Sequence, residues 1–241
     1  MSEKLQKVMA RMGLGSRREI ERWIAIGRVT INQIPAKLGD RVDHTSQLTL
    51  DGKPILGHFE PLIQQSVLMY HKPIGELCTR HDPEGRPTVF DALPKLSAGR
   101  WVIIGRLDFN TSGLLLFTND GELAHRLIHP SFHLKRTYAV RVYGHVSDAL
   151  LNRLKTGIFL EDGKSHFDSI TSMGGEGKNH WYQVSISMGR NRIVRRLWES
   201  QGIKVNRLTR IAFGGLLLPD SLKAGKYQLL SAIDMARIKN V

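Results

Sequence analysis

Apolar residues recur at helical spacing from the start of the chain, where Leu5, Val8, Met9 and Met12 mark one stripe of a helix over residues 4–12. Gly13 ends it, because glycine enters the left-handed conformation without a Cβ penalty. Ser16 and Glu19 then form an S-x-x-E capping box, and Ile20, Trp23 and Ile24 supply the buried stripe of a second helix that stops at Gly27. Beyond it the period changes from helix to strand. Val29 and Ile31 alternate with polar neighbours, Asn32 and Gln33 read as a turn, and Val42, Leu48 and Leu50 predict further short strands. Residues 51–65 carry Gly52, Pro54, Gly57 and Pro61 without a sustained period and read as a linker.

Strand formers dominate the remainder of the chain, in runs over 67–70, 101–104, 113–117, 138–142, 181–187 and 204–213. Helices are predicted over 121–128, 148–155 and 192–201, too few and too irregular for a repeating strand-helix parallel fold. The predicted fold class is α+β. A small helix-helix-strand module over residues 1–62, including its linker, precedes a larger domain over 63–241 built on a mainly antiparallel sheet.

Composition narrows the possible partners. With 41% hydrophobic residues the chain can bury an ordinary core, and 35 Lys and Arg against 22 Asp and Glu leave a net charge of +13. That excess favours a polyanion over a neutral small molecule, and nucleic acid is the first candidate. A single cysteine, Cys78, allows neither an internal disulfide nor a cysteine-based zinc site and fits a reducing compartment. The start lacks the apolar core of a signal peptide, and no run of about 18 apolar residues occurs, so neither export nor a membrane span is expected. The ten histidines include no H-E-x-x-H, and no phosphate-cradling G-x-x-x-x-G-K-[ST] is present. No metal and no nucleotide cofactor are expected.

The charge is not evenly spread. On the second helix Arg17, Arg18, Glu21 and Arg22 face outward, with Arg28 just beyond its end, a face that reads either as solvated or as a contact for phosphates. The densest cluster holds Arg190, Arg192, Arg195, Arg196, Lys204, Arg207 and Arg210 against the single acid Glu199. If residues 192–201 are helical, Arg192, Arg195, Arg196 and Glu199 share one side, with Ile193, Val194, Leu197 and Trp198 on the other. Asp108 sits in a polar loop, Asp-Phe-Asn-Thr-Ser-Gly, between two apolar strands. From spacing alone it is a turn former as readily as a catalytic acid. Tyr138 is by the same standard a core tyrosine with a wet hydroxyl, Arg195 a solvated arginine, and Cys78 a passive thiol with no base beside it.

Two resemblances change that picture. EKLQKVMARMGLGSRREIERWIAIGRVTINQ is similar to the RNA-binding domain first described in small-subunit ribosomal protein four, covering roughly residues 2–50. It implies that Arg17, Arg18, Arg22 and Arg28 contact structured RNA. GRLDFNTSGLLLFTNDGELAHRLIHP resembles the signature of the RsuA-type family of rRNA pseudouridine synthases, and the likeness continues in HKPIGELCTRHDPEGRPTVFDALP, KRTYAV and GRNRIVRRLWESQG, so it spans nearly the whole chain. The acid after G-R-L is the catalytic aspartate of that family, which implies this role for Asp108. The same likeness implies that Tyr138 stacks on a flipped base and helps remove its C5 proton, and that Arg195 pairs with the acid. Arg106, Arg190, Arg192 and Arg196 are expected to contact RNA. The implied activity is isomerisation of a specific uridine of 23S rRNA, as naked RNA or in a large-subunit precursor particle. A monomer in the cytoplasm, without cofactor, is expected. The chain stops shortly after SAIDMARIKNV, so no function of a long basic tail is expected. The alternative is a non-catalytic ribosome-assembly factor, which would have no use for a carboxylate among cations that face a polyanion.

Overall fold

The computed structural model describes residues 2–56, 65–97 and 99–239. The chain divides into two compact units, one of residues 1–66 with 94–102 and 119–121, the other of 67–93, 103–118 and 122–241.

In the first unit a short strand β1 (Glu3–Lys4) leads into α1 (Leu5–Arg11), followed by α2 (Arg17–Ala25). The predicted capping box forms: Glu19 N–H donates to the Ser16 hydroxyl at 3.1 Å, and Ser16 N–H donates back to the Glu19 carboxylate at 3.2 Å. Gly13 stands at φ +87°, where a Cβ would lie 2.8 Å from the Gly99 carbonyl oxygen, so both conformation and space require glycine. Four strands follow, β2 (Val29–Ile31), β3 (Ile34–Pro35), β4 (Arg41–Val42) and β5 (Leu48–Leu50), and then β6 (Lys53–Pro54). β4 pairs with β1, while β3, β2, β5 and β6 form one antiparallel sheet. Leu5, Val8, Met9, Ile20, Ile24, Val29, Val42 and Leu48 make the core, with Trp23 packed against it.

The linker reading of 51–65 is corrected at its start. Asp51 and Gly52 take φ of +52° and +76°, the pair of positive angles that turns a two-residue hairpin, and they carry the chain back along β5. An Asp-Gly between strand formers is a hairpin signal. Residues 57–64, with Gly57, Pro61 and the expected boundary at 62, lie outside the described residues.

The second unit is organised on one sheet. Its strands are β7 (Val67–Lys72), β8 (Val102–Ile104), β9 (Ser112–Thr118), β10 (Arg136–Tyr143), β13 (Ser169–Glu176), β14 (Asn179–Ile186), β15 (Lys204–Phe213), β16 (Leu216–Leu217) and β17 (Tyr227–Leu229), with β11 (Ile158–Leu160) and β12 (Gly163–Ser165) as a separate hairpin. The order is β13-β14-β10-β15-β9-β7-β17, with β16 on β15 and β8 on β9. Every pairing with a register is antiparallel except β15 with β9, where Thr209 faces Ser112 and Arg210 faces Gly113. That parallel seam is close. A Cβ on Gly113 would stand 2.2 Å from the Arg210 carbonyl oxygen, and the residue lies at φ +108°, so no side chain is tolerated there.

The helices α3 (Gly121–Ile128) and α4 (Asp148–Thr156) match the pattern closely. The third, α5 (Ile193–Glu199), is shorter than expected: Arg192 caps its start at φ +47°, and Ser200 closes its end. Its sidedness also differs. Ile193, Val194, Arg195, Leu197 and Trp198 are all buried, so Arg195 belongs to the interior and not to a cationic face. Trp198 meets the rings of Tyr182 and Phe167 at 5.2 and 6.0 Å, and truncating a buried aromatic of this size costs about 3–5 kcal/mol. A last helix, α6 (Ala232–Lys239), and the strands β13 and β17 were not legible in the pattern. Their residues are mostly exposed, so they show no apolar alternation.

Candidate active site

Asp108 lies in the loop between β8 and β9, and the loop is held almost entirely through its backbone. The four carbonyls from 108 to 111 are all engaged. That of Asp108 accepts from Thr111 N–H at 3.0 Å, that of Phe109 from Gly75 N–H at 3.0 Å, that of Asn110 from Arg195 Nη2 at 2.7 Å, and that of Thr111 from Lys72 Nζ at 3.0 Å. At its start Leu107 N–H donates to Cys78 Sγ at 3.4 Å. At its end the Ser112 and Thr209 hydroxyls are 2.8 Å apart across the parallel seam. By contrast, the Asp108 carboxylate forms no hydrogen bond or ion pair among the described residues. It is partly exposed, between Arg106 and Phe109 on the solvent side and Leu107 in the core. A backbone so pinned presents one acidic side chain at low reorganisation cost.

Two buried cations set the electrostatics beneath it. Lys72 is fully buried at the end of β7 and donates to the carbonyls of Pro73 and Thr111. Burial pulls its ammonium below the ordinary value, while Cys78, Glu76 and Asp108 oppose that pull. Arg195 is 6% exposed and donates Nη1 to the Val205 carbonyl at 3.0 Å as well as Nη2 to Asn110. Burial lowers it too, and the nearby Asp108 charge pushes it back up. The direct ion pair implied for Arg195 and Asp108 is therefore not formed in this structure. The guanidinium clamps the loop by a main-chain carbonyl and acts on the carboxylate through the field.

Around Lys72 lies a network that the sequence reading missed. The Tyr70 hydroxyl donates to both Glu76 carboxylate oxygens at 2.9 and 2.8 Å. Burial pushes the Glu76 carboxyl above its usual range, against the opposing pull of that hydrogen bond and of Lys72. Cys78 is likewise raised by burial, which fits the passive thiol. A lysine two positions after the apolar run Val67–Tyr70, at the end of the strand, was the available signal, since lysine is almost never fully buried without partners.

Tyr138 is 8% exposed on β10, facing Val184 on one side and Arg210 on the other. Arg210 is 1% exposed, donates Nε to the Leu114 carbonyl at 2.7 Å and lies 5.2 Å from the Phe213 ring centre, which Arg136 approaches at 5.5 Å. Asp108, Tyr138 and Arg195 thus sit on elements gathered around β15: the Asp108 loop leads into β9, β9 and β10 flank β15, and α5 packs against β15.

The other arginines divide by what already holds them. Arg196 donates two hydrogen bonds to Asp162 at 2.9 and 2.5 Å, keeping that carboxyl below its ordinary value. Arg190 stands 3.5 Å from the same acid and donates to the carbonyls of Gly163 and Lys164 and to the Ser165 hydroxyl. Both fasten the β11–β12 hairpin. Arg192 has only a 3.9 Å approach to Glu199. In the first unit Arg28 makes a two-pronged bond to Asp51 at 2.7 and 2.5 Å and lies 5.2 Å from the Trp23 ring centre. Arg17, Arg18 and Arg22 are exposed on α2, and Arg18 and Arg22 have no hydrogen-bond or ion-pair partner among the described residues. Among those residues no three His, Cys, Asp or Glu side chains form a group able to hold a metal, and no helix is long and apolar enough to cross a membrane.

Comparison with known proteins gives the arrangement a context. Residues 66–200 match the family described as RNA pseudouridylate synthase, and residues 3–48 match the S4 domain. The ribosomal large subunit pseudouridine synthase B of Pseudomonas aeruginosa is 55% identical over 229 residues, covering 95% of this chain and 59% of that protein. The protein of the same name from Haemophilus influenzae is 58% identical, with 94% and 64% covered. That of Escherichia coli strain K12 is 54% identical over 242 residues, with 98% and 81% covered. The chain therefore spans about three fifths of the Pseudomonas relative's length. A crystal structure of a pseudouridylate synthase superposes with a TM-score of 0.67 at 26% identity, covering 98% of this chain and 99% of that one. With this agreement across both units, the chain belongs to the RNA pseudouridylate synthase family.

Proposed function

We propose that the chain isomerises one uridine of 23S rRNA to pseudouridine, with Asp108 as the catalytic carboxylate. The observation that carries this reading is the contrast at residues 108–111: every carbonyl is bonded and the one carboxylate is left unpaired. Its large-subunit relatives support the choice of RNA. The reaction breaks the bond between C1′ and N1, rotates the base, joins C1′ to C5 and moves the C5 proton off carbon while N1 regains one, so it is redox-neutral. An ionised carboxylate suits each available opening step, namely attack on C1′, attack on C6 or removal of a sugar proton. Extracting the base from folded RNA costs roughly a few kcal/mol, which stacking and phosphate contacts offset.

In this reading Tyr138 stacks on the extruded base and assists deprotonation at C5, and Arg195 is a positioning residue for the Asp108 loop. Arg106 and Arg192 take phosphates beside the site, with Arg190 and Arg196 as supports of the neighbouring hairpin. Residues 1–62 dock the RNA through Arg17, Arg18, Arg22 and Arg28, and residues 63–241 do the chemistry. We place the protein in the cytoplasm, as a monomer, acting on naked 23S rRNA or on a large-subunit precursor.

The test is Asp108→Asn, nearly isosteric but unable to act as nucleophile or base. It should bind RNA at least as tightly as the parent and form no pseudouridine in single-turnover assays at saturating protein. Substantial product would remove Asp108 from the chemistry. Mapping pseudouridines in rRNA from cells with and without the gene identifies the target as the one site that disappears.

A further inference from the structure

The segment 125–135, from the last turn of α3 to the start of β10, belongs to neither the Asp108 loop nor the N-terminal module. It reads HRLIHPSFHLK and holds three imidazoles, one phenyl ring and two cations with no acid. α3 buries Leu123, Ala124 and Leu127, which leaves His125 and Ile128 exposed. Ile128 and Phe132 are each 41% exposed, and His129 and His133 are exposed beside them. The rings are ordered. Those of His125 and His129 lie 5.4 Å apart at 42°, and His129 meets Phe132 edge-on at 6.4 Å and 84°.

Local bonds keep them there. His129 Nδ1 lies 2.8 Å from the Ser131 hydroxyl, residues 130–132 form a single tight turn, and His133 takes φ +46°, a conformation a non-glycine residue keeps only when its surroundings impose it. Leu134 is buried behind the turn. Imidazoles in the last turn of α3 complement the helix dipole, but that explains neither the exposed Phe132 nor the absence of acids. Flat side chains beside cations are what an unpaired nucleobase and its phosphate require.

We propose that residues 125–135 form an accessory stacking platform for an unpaired nucleobase of the RNA, with Phe132 and His129 as its rings and Lys135 as its phosphate contact. The proposal rests on the RNA-modifying reading above. The six chain steps from Phe132 to Tyr138 span at most about 22 Å, so the platform receives nucleotides near the target uridine.

The experiment compares binding of a labelled single-stranded oligouridylate of about twelve nucleotides with that of a blunt RNA duplex, using the full chain. The double variant Phe132→Ala with His129→Ala should weaken binding of the single strand at least about fivefold, the lower end expected for loss of one base stack. Duplex affinity should change less than about twofold, and the salt dependence of both should stay as in the parent, because a stack releases no counterions. Phe132→Trp should restore single-strand binding, and an unchanged thermal midpoint for both variants shows that the fold is intact. Equal losses on both RNAs, or none on the single strand, would overturn the platform. A parent chain that binds neither RNA overturns the reading beneath it as well.

Discussion

At the scale of single residues, the site works through main-chain atoms that side-chain chemistry does not announce. Arg195 holds Asn110 and Val205 with two separate nitrogens, a fork that an ammonium cannot reproduce. Arg195→Lys should therefore retain RNA affinity and lose roughly ten- to a hundredfold in single-turnover rate, the scale of an ångström-sized misplacement of a reacting group. A rate equal to the parent's would show that the loop needs no clamp. Glu76 gives the pH dependence. Its carboxyl is raised in the folded chain by burial above the ordinary value of 4.5, so between those two values the folded state holds more protons than the unfolded one. The contribution of Glu76 to stability is fully present below pH 4.5 and is lost as pH rises through the raised value. Glu76→Gln keeps an acceptor for Tyr70 and cannot titrate, so its urea midpoint should fall less across that window. Parallel slopes for parent and variant would assign the dependence elsewhere.

At the scale of elements, α5 and the β11–β12 hairpin show why a run of arginines is not one surface. Arg196 and Arg190 are committed to Asp162 and the hairpin backbone, whereas Arg192, left-handed at the cap of α5, has little to hold it. Arg192→Gln should reduce the slope of log affinity against log salt by up to about 0.7–0.9 and leave protease resistance of residues 158–165 unchanged. Arg196→Gln should do the reverse. If both variants shift the salt slope equally, Asp162 surrenders Arg196 to the RNA. The same lesson applies to Gly113. In the sequence it closes a turn-like run, but the structure uses it to let β9 lie against the Arg210 backbone. That seam carries the Asp108 loop into the sheet.

For the whole molecule, the proposed reading assigns docking and chemistry to different compact units, and the two separate experimentally. Arg18→Gln with Arg22→Gln should weaken RNA binding and flatten its salt dependence by up to about 0.7–0.9 per lost phosphate contact, with single-turnover rate at saturation little changed. A binding curve with the parent's salt slope would remove α2 from the docking surface. Local order was legible in the chain wherever one physical rule governs a short stretch. Ser16 and Glu19 specify the start of α2, Gly13 and Gly27 the stops of α1 and α2, and the apolar runs at 67–70 and 113–117 the strands that bury them. The family signature placed Asp108 at the point where the chain leaves the core. It did not show that Lys72, 36 positions earlier, and Arg195, 87 positions later, would close on that loop. Nor did it show Arg195 inside α5, or Arg190 and Arg196 spent on Asp162. Those facts depend on which carbonyls and carboxylates lie within hydrogen-bonding distance after the strands have paired. A side chain's charge is a property of the sequence, but its partner is chosen by tertiary contact, because burial makes an unpaired cation costly and only the folded chain decides which oxygens are near enough to relieve it.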